Sequence, residues 1–259
     1  NNFTTRSAAV GTRPNRALID GTVAALVTSS GTTYLGGDFS SIGAYTGTAV
    51  PIDAQTGLTT RIPNFPEVRD TVSVALPDGN NGYYIGGEFT QIGSESRARL
   101  AHVLANGSVD PSFTPDPNAA VSVLALSGTT LFVGGAFTNI GGQARTRLAA
   151  INTMTGAVLD WNPAPDLVPT ALAVASDTLY VGGRFDTIAG QARSRLASFP
   201  LVNNVPGTIK SFAPNPDGVE ILSLYPANGK LYVSGYFESI DGTSRARAAR
   251  ITTPDRAKP

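Results

Sequence analysis

One phrase of apolar residues and glycine returns five times along the chain. In each copy an aromatic and an aliphatic residue precede Gly-Gly or Ser-Gly, and a variable residue, Phe and a later Ile follow. The first small residue of the pair lies at Gly36, Gly86, Gly134, Gly182 and Ser234, so the period is 48 to 52 residues. A period near fifty that is built from strand-forming residues predicts a β-propeller or a linear array of repeats.

The third unit shows the pattern of a single repeat most clearly. Apolar runs at 121–126 and 131–137 predict two strands, and 148–152 and 157–161 predict a third and a fourth. Short turns rich in Gly, Ser and Thr separate the runs. Four short antiparallel strands joined by such turns make one propeller blade. We therefore expect an all-β fold without helices.

The fixed aromatic and glycine positions are expected to form the packing between blades. The Gly pair interrupts an apolar strand, which indicates a bulge or a close backbone approach. Repeat units bury their apolar faces against one another. We expect this role for the Phe after the Gly pair and for the aromatic that ends the fourth strand, at Phe39, Phe89, Phe137, Phe185, Phe237, Phe65, Phe113, Trp161 and Phe212.

The two ends of the chain predict a closed ring. The fifth unit stops after its third strand, and residues 6–12 match the fourth-strand segment that it lacks. Pairing of the termini within one blade would leave no open sheet edge. We predict a single five-bladed propeller with blades at 17–65, 66–115, 116–165, 166–214 and 215–253. The N-terminal strand completes the last blade, and residues 254–259 form a linker or a cut end.

Two units resemble a known repeat family. The third and fourth units read LFVGGAFTNIGGQARTRLA and LYVGGRFDTIAGQARSRLA, which is similar to the delta-60 repeats of bacterial secreted and surface proteins. The resemblance extends over nearly the whole chain, and the first unit departs from it most, since it lacks the Gln and both Arg. It implies a β-propeller that is exported and lies outside the cell or on its surface. It implies no activity.

The composition excludes several functions. Net charge is zero and charged residues make up 15% of the chain, so we expect neither a nucleic-acid partner nor membrane insertion. No signal peptide is recognisable, which leaves a mature form, an excised domain or a cytosolic protein. Cysteine is absent, which removes disulfides and thiolate chemistry.

The single histidine, His102, is expected to be a surface residue, because other units place Pro51, Ala150, Ser198 and Arg250 at its position. Without a second histidine no Ser-His-Asp site is supported, and metal sites built from His or Cys are excluded. We predict no catalytic residues and no metal site. The Asp-Gly turns at 78–81 and 241–242 offer oxygen ligands for calcium, but they lack the spacing of a known calcium loop, so we interpret them first as β-turns.

An Arg-x-Arg motif ends the loop between the second and third strands in four units. Blade geometry places this loop on the same rim as the link that enters the next blade, which carries an acid in two units. One interpretation is an ion pair between blades or an Arg that bonds to loop carbonyls. The other is a ring of shallow ligand pockets formed by Arg97, Arg145, Arg193, Arg245, Gln143, Gln191, Asp166 and Asp217.

The residue between the Gly pair and Phe changes class in every unit. It is Asp38, Glu88, Ala136, Arg184 or Tyr236. One interpretation is a partner-binding surface, in which the conserved residues of the repeat hold a different side chain in each unit. The other is neutral sequence variation at a position that faces solvent.

Three functions remain open at the level of sequence. The first is a non-catalytic, exported binding or adhesion module of a larger surface or secreted protein, which recognises a carbohydrate or a protein through the loops between blades. The second is a glycan-acting hydrolase or lyase with acids near the central channel, which substitution of Asp38 and Glu88 by Ala would test. The third is a rigid spacer without a ligand.

Overall fold

The computed structural model describes residues 21–29, 32–38, 41–42, 44–45, 49–53 and 66–252. Within these residues every regular element is a β-strand, which confirms the predicted all-β class. The strands, in chain order, are β1 (Thr22–Ser29), β2 (Thr32–Asp38), β3 (Ser41–Ile42), β4 (Ala44–Tyr45), β5 (Ala49–Asp53), β6 (Val68–Arg69), β7 (Val72–Pro77), β8 (Tyr83–Gly87), β9 (Gln91–Ile92), β10 (Glu95–Ser96), β11 (Leu100–Val103), β12 (Val121–Ser127), β13 (Thr130–Gly135), β14 (Asn139–Ile140), β15 (Gln143–Ala144), β16 (Leu148–Asn152), β17 (Pro169–Ala175), β18 (Thr178–Gly183), β19 (Thr187–Ile188), β20 (Gln191–Ala192), β21 (Leu196–Val202), β22 (Val205–Pro206), β23 (Glu220–Ala227), β24 (Lys230–Tyr236), β25 (Ser239–Ile240), β26 (Thr243–Ser244) and β27 (Ala248–Thr252).

Five sheets of equivalent topology account for most of the described residues. We number them from first to fifth; their strand orders are β1-β2-β5, β7-β8-β11, β12-β13-β16, β17-β18-β21-β22 and β23-β24-β27. The strand that carries the Gly pair lies in the middle of each sheet, and all pairings are antiparallel. Two-residue strands in the loop between the second and third long strands form a small hairpin beside each sheet.

Consecutive sheets pack with their first strands side by side. β1 contacts β7, β7 contacts β12, β12 contacts β17 and β17 contacts β23. This places the first strand of every sheet innermost, in a radial arrangement. The described strands β23 and β1 have no comparable contact.

The first glycine of each pair is required by the approach of the next sheet. A Cβ at Gly182 would lie 2.6 Å from Cγ2 of Ile221, and a Cβ at Gly86 would lie 2.5 Å from Cγ1 of Val121. The second glycine packs on the backbone of its own first strand, where the register shifts by one residue; at Gly135 a Cβ would lie 2.1 Å from the carbonyl oxygen of Ala120. Both predictions for the Gly pair, bulge and close approach, are confirmed.

The core consists of separate apolar layers between neighbouring sheets. One layer joins the third and fourth sheets through Phe132, Leu148 and Trp161 on one side and Val181 and Phe199 on the other. The predicted core aromatics are buried wherever their side chains are described, at Phe89, Phe113, Phe137, Trp161, Phe185, Phe212 and Phe237. Phe39 and Phe65 lie outside the described residues.

In the second, third and fourth units, whose fourth segments are described, the fourth strand is much shorter than predicted. The sheets have three strands, except the fourth sheet, which adds the two-residue β22. In the third unit the expected strand at 157–161 makes a single bridge between Val158 and Ile151. Prolines at 163 and 165 follow closely and cannot donate to a ladder. Each of these three described fourth segments is therefore an extended stretch with few ladder bonds.

The fifth sheet differs from the others on its outer face. β27 alternates between exposed and half-buried residues, whereas its counterpart β16 is buried almost throughout. Tyr232 is 42% exposed, although the equivalent Tyr180 is 2% exposed. Val23, whose counterparts in the later sheets are buried, is 37% exposed. The predicted ring closure by residues 6–12 and the predicted linker at 254–259 lie outside the described residues.

Candidate binding surface

The sequence-predicted site residues lie on one rim of the molecule. The loop between the second and third strands begins where the link from the previous sheet enters the first strand, as the pairing of Val121 with Gly135 shows. The two segments are hydrogen-bonded to each other. For example, the N–H of Asp166 donates to Thr187 O at 3.1 Å and the N–H of Ala189 donates to Pro163 O at 2.6 Å.

The first Arg of each Arg-x-Arg motif binds the fourth segment of its own unit. The Arg145 guanidinium donates to the carbonyl oxygen of Leu159 at 3.0 Å, and Arg193 donates to that of Lys210 at 2.8 Å. Arg97 makes a longer bond of 3.3 Å to the carbonyl oxygen of Asp110. Arg97 and Arg145 are buried. The hydrogen bonds of these side chains take the place of some of the backbone hydrogen bonds that a regular fourth strand would make.

In the second and third units the second Arg of the motif joins the unit to the next one, whereas Arg195 of the fourth unit forms an ion pair with Asp186 of its own unit at 3.0 Å. Arg99 donates to Pro117 O and Arg147 donates to Pro165 O, both at 3.1 Å, and these prolines lie in the link that enters the following sheet. Arg147 has a φ of 63°, and its counterparts Arg99, Arg195 and Arg247 have φ values between 59° and 65°. This left-handed conformation is strained for a residue with a side chain. The second to fifth units therefore share an unfavourable backbone conformation at this position.

The acids of the links do not form the expected ion pairs with the Arg-x-Arg motif. The Asp166 carboxylate accepts hydrogen bonds from the N–H groups of Asp186 and Thr187 at 3.0 and 3.1 Å. Asp217 accepts equivalent bonds from Glu238 and Ser239. Partial burial raises the pKa of Asp166, but the combined effect of these N–H donors holds it below its usual value. The acids therefore order the rim loops by binding backbone N–H groups.

The variable rim side chains are all exposed. Asp38, Glu88, Ala136 and Arg184 are exposed, and Tyr236 is 58% exposed. Arg184 also forms an ion pair across the boundary between sheets, at 3.0 Å from the buried Glu220 carboxylate, and this bond raises the pKa of Arg184.

The two glutamine candidates, Gln143 and Gln191, are exposed on the small hairpins, and Gln191 accepts a bond from Arg193 at 2.9 Å. The rim is therefore a regular frame that presents a different side chain from each unit.

The prediction for His102 is wrong. The ring is 8% exposed and lies between two carboxylates, with Nδ1 2.9 Å from Asp110 and Nε2 3.1 Å from Asp78. It stacks on Tyr84 at a centroid distance of 4.4 Å. The equivalent residues Ala150 and Ser198 are also buried, so this is a buried position at which the residue differs between units. The sequence feature that could have predicted this cluster is the presence of Asp78 and Asp110 in the same unit as His102.

The His102 cluster shifts the pKa of two of its neighbours. Burial raises the pKa of Asp110, but hydrogen bonds from Ser112 and His102 hold it below its usual value. Burial raises the pKa of Tyr84 to about 12. Since each ring nitrogen of His102 lies within hydrogen-bond distance of a different carboxylate, the cluster is a structural bridge within the second sheet.

Two of the cavities on the described surface bear on ligand binding. One of about 440 Å³ lies between the third and fourth sheets and is lined by Asp160, Trp161, Gln191 and Phe199, among others. The other, of about 350 Å³, lies on the outer face of the fifth sheet beside Tyr225, Tyr232, Arg245 and Arg250. Among the described residues no group of three His, Cys, Asp or Glu side chains could hold a metal ion. The described part contains no helix long and apolar enough to span a membrane.

Comparisons with known proteins identify the fold. Residues 77–113 and 227–255 match the model of a β-propeller domain family of unknown function, DUF5122. The chain is similar to the WD40 β-propeller domain of Doa1, with 14% identity and a TM-score of 0.58 over 92% of this chain and 66% of that chain. The fold is a β-propeller. The WD40 repeats of RRP9 match with 12% identity and a TM-score of 0.57, over 88% of this chain and 62% of that chain.

The extent of these matches bears on the architecture. The β-propeller chain spans less than two thirds of the length of either WD40 structure. No curated protein matches it. At these identities the WD40 structures show the fold alone. Below, each of the five numbered sheets is called a blade.

Proposed function

We propose that this β-propeller is a non-catalytic binding module whose rim recognises a protein partner. The observation that carries the proposal is the rim itself, where one invariant frame presents Asp38, Glu88, Ala136, Arg184 and Tyr236, all exposed and all different. A surface with a different side chain on each blade suits a single asymmetric partner better than repeated identical ligands.

The hydrogen bonds of the Arg-x-Arg motif support a protein partner over a ring of identical sugar sites. Arg97, Arg145 and Arg193 bind carbonyls of the fourth segments, so their donors are partly used within the fold. The same bonds hold the loops in place, which reduces the conformational entropy lost when a partner binds. A rigid rim is therefore suited to recognition.

The resemblance to delta-60 repeats supports two further parts of the proposal. We place the β-propeller in an exported protein, outside the cell or on its surface, as one domain of a larger chain with a role in adhesion. Both rest on the resemblance of the units at 121–165 and 170–214.

A carbohydrate is the second candidate ligand, because one cavity has suitable chemistry. The 440 Å³ cavity combines the aromatic Trp161 with the polar side chains of Asp160 and Gln191. This cavity lies between the third and fourth blades, so the second candidate is a glycan bound at this boundary.

Site-specific photo-cross-linking on the intact β-propeller tests the rim. A cross-linking amino acid at Glu88 or Arg184 is expected to capture a defined polypeptide, and the same group at Met154, which is 77% exposed in a turn on the opposite rim, is not. Equal capture at all three positions would contradict the proposal. A glycan array in parallel decides the second candidate, since binding that is lost in Trp161→Phe would move the function to the cavity.

A further inference from the structure

The connection between the third strand and the fourth segment is longer in the fourth unit than in the third. The N–H of Gly156 donates to Asn152 O at 2.8 Å. The N–H of Gly207 donates to the equivalent carbonyl, Pro200 O, also at 2.8 Å, so the two glycines correspond. The first pair is four positions apart along the chain and the second is seven. The fourth unit therefore has three extra residues at this point, where β21 and β22 form a hairpin.

The extra residues change what the connection packs on. In the third unit a Cβ at Gly156 would lie 3.1 Å from the carbonyl oxygen of Ser112, in the fourth segment of the second unit. In the fourth unit a Cβ at Gly207 would lie 3.3 Å from Cγ of Pro200, within the same unit, and no atom of the third unit lies within 4 Å of it. The third unit thus closes on the fourth segment before it, and the fourth unit does not.

The small hairpin at this boundary favours the same separation. In the third unit a Cβ at Gly141 would lie 2.6 Å from Cγ2 of Val158. The fourth unit has Ala189 and Ile209 at the equivalent positions. The Cβ of Ala189 therefore prevents Ile209 from approaching as closely as Val158 does. The cavity of about 440 Å³ lies at this boundary, so it takes the place of a contact that is closed between the second and third units.

The apolar lining of the cavity is buried. Trp161, Phe199 and Pro206 line it. The Trp161 ring is 9% exposed and packs nearly perpendicular to Phe132 and Phe199, at centroid distances of 6.0 and 5.1 Å. It has little open ring face on which a sugar could stack, so this lining is better suited to an apolar side chain.

The polar lining supplies one acceptor and one donor. The carboxylate of Asp160 is fully exposed, and its bond to Arg145 uses Oδ1. Gln191 Oε1 accepts a hydrogen bond from Arg193 at 2.9 Å, which leaves Nε2 of Gln191 as a donor. A peptide backbone carries the complementary groups, one N–H and one C=O for each residue.

We propose that this cavity binds a short extended segment of the protein partner. An apolar side chain of the segment enters the cavity, a backbone N–H donates to the Asp160 carboxylate, and a backbone C=O accepts from Nε2 of Gln191. A polypeptide is favoured because the chain's own connection around Gly156 fills the equivalent space at the preceding boundary. The inference rests on the proposed function, since it assigns a peptide contact to the protein that the rim recognises.

Phage display on the full chain, with a random heptapeptide library that lacks tryptophan, supplies the probe. Enriched peptides are titrated against the chain, and the emission of Trp161, the single tryptophan, reports binding at the cavity. We expect a saturable change in emission. The affinity should fall about tenfold in Asp160→Ala and about fivefold in Gln191→Ala, the losses typical of one charged and one neutral hydrogen bond. Gln143→Ala is the matched control and should bind like the parent, because Gln143 is the equivalent glutamine of the third unit and does not line this cavity.

Every other outcome overturns the inference. If no peptide is enriched, or if the peptides bind Asp160→Ala and Gln191→Ala like the parent, the cavity holds no peptide. If a glycan changes the emission of Trp161 and no peptide does, the cavity is a sugar site. If peptides of residues 1–20 or 253–259 give the same change, the cavity belongs to the chain's own ends. Asp160 and Gln191 are exposed, so unchanged melting temperatures exclude unfolding as the cause.

The cross-linking experiment at the rim separates this inference from the proposed function. Capture of a polypeptide at Glu88, together with any of the contrary outcomes at the cavity, retains the rim and removes only the cavity contact. Absence of capture at Glu88 contradicts the proposed function itself.

Discussion

The substitution Gly182→Ala tests how the blades pack. The added Cβ would lie 2.6 Å from Cγ2 of Ile221 and 3.3 Å from Cδ1 of Leu224, both in the next blade. An ordinary carbon–carbon contact is about 3.5–4.0 Å, so the fifth blade must move by about 1 Å. Overpacking of this kind costs about 1–3 kcal/mol, and the entropy gain of Gly→Ala in the unfolded chain offsets about 0.4–1 kcal/mol.

The expected net loss of about 1–2 kcal/mol corresponds to a decrease of about 2–8 °C in melting temperature for a chain of this size. Differential scanning calorimetry would measure it. The matched control is Ser234→Ala, the same position in the fifth blade, where no following blade packs among the described residues. That variant should stay within about 0.5 kcal/mol of the parent.

A double-mutant cycle makes the test specific to the contact. Ile221→Ala alone should cost about 2–5 kcal/mol, since Ile221 is 1% exposed. Because it also removes the atom that clashes with the new Cβ, Gly182→Ala should cost little in that background. Additive losses, or an unchanged melting temperature for Gly182→Ala, would refute the reasoning.

Three further predictions follow from individual contacts. Arg147→Ala should lower the free energy of unfolding by about 1–2 kcal/mol through loss of the bond to Pro165 O, and Arg147→Gly should lower it about 1 kcal/mol less, because glycine relieves the left-handed strain; equal losses in chemical denaturation would contradict this. Tyr180→Ala should cost about 3–5 kcal/mol and Tyr232→Ala less than about 1 kcal/mol, in line with their exposures of 2% and 42%; similar losses would show that Tyr232 is covered. Burial raises the folded-state pKa of Tyr84 from 10.0 to about 12, so its contribution to the free energy of unfolding is complete below about pH 10 and falls by about 1.4 kcal/mol per pH unit between about pH 10 and 12. Tyr84→Phe should remove this slope from the free energy of unfolding measured against pH. An unchanged slope would refute the prediction.

The repeat made the fold predictable, because the same residues recur wherever the same contact is made. The Gly pair predicted both the bulge and the close approach, and the Phe that follows it predicted the core. The length of the fourth strand was not predictable from apolar residues alone. The segment at 157–161 looks like a strand, but side-chain bonds from Arg145 hold it in place of a ladder.

The position of the candidate site was predicted, and of the two structural interpretations for the Arg-x-Arg motif, the bonds from Arg to carbonyls are observed and the ion pairs with the link acids are not. Loop order in the sequence was enough to bring Arg145 and Asp166 to one rim. Their partners are backbone groups, which carry no sequence signal, so the expected ion pair could not be distinguished from bonds to carbonyls. His102 was misplaced because variation between units was taken as exposure, whereas a buried position can vary when its neighbours change with it, as Asp78 and Asp110 do.

Site-specific photo-cross-linking at the rim tests the proposed protein-binding surface most directly. A cross-linking amino acid at Glu88 should capture a defined polypeptide, and the same group at Met154, which is 77% exposed on the opposite rim, should not. Equal capture at the two positions would contradict the account.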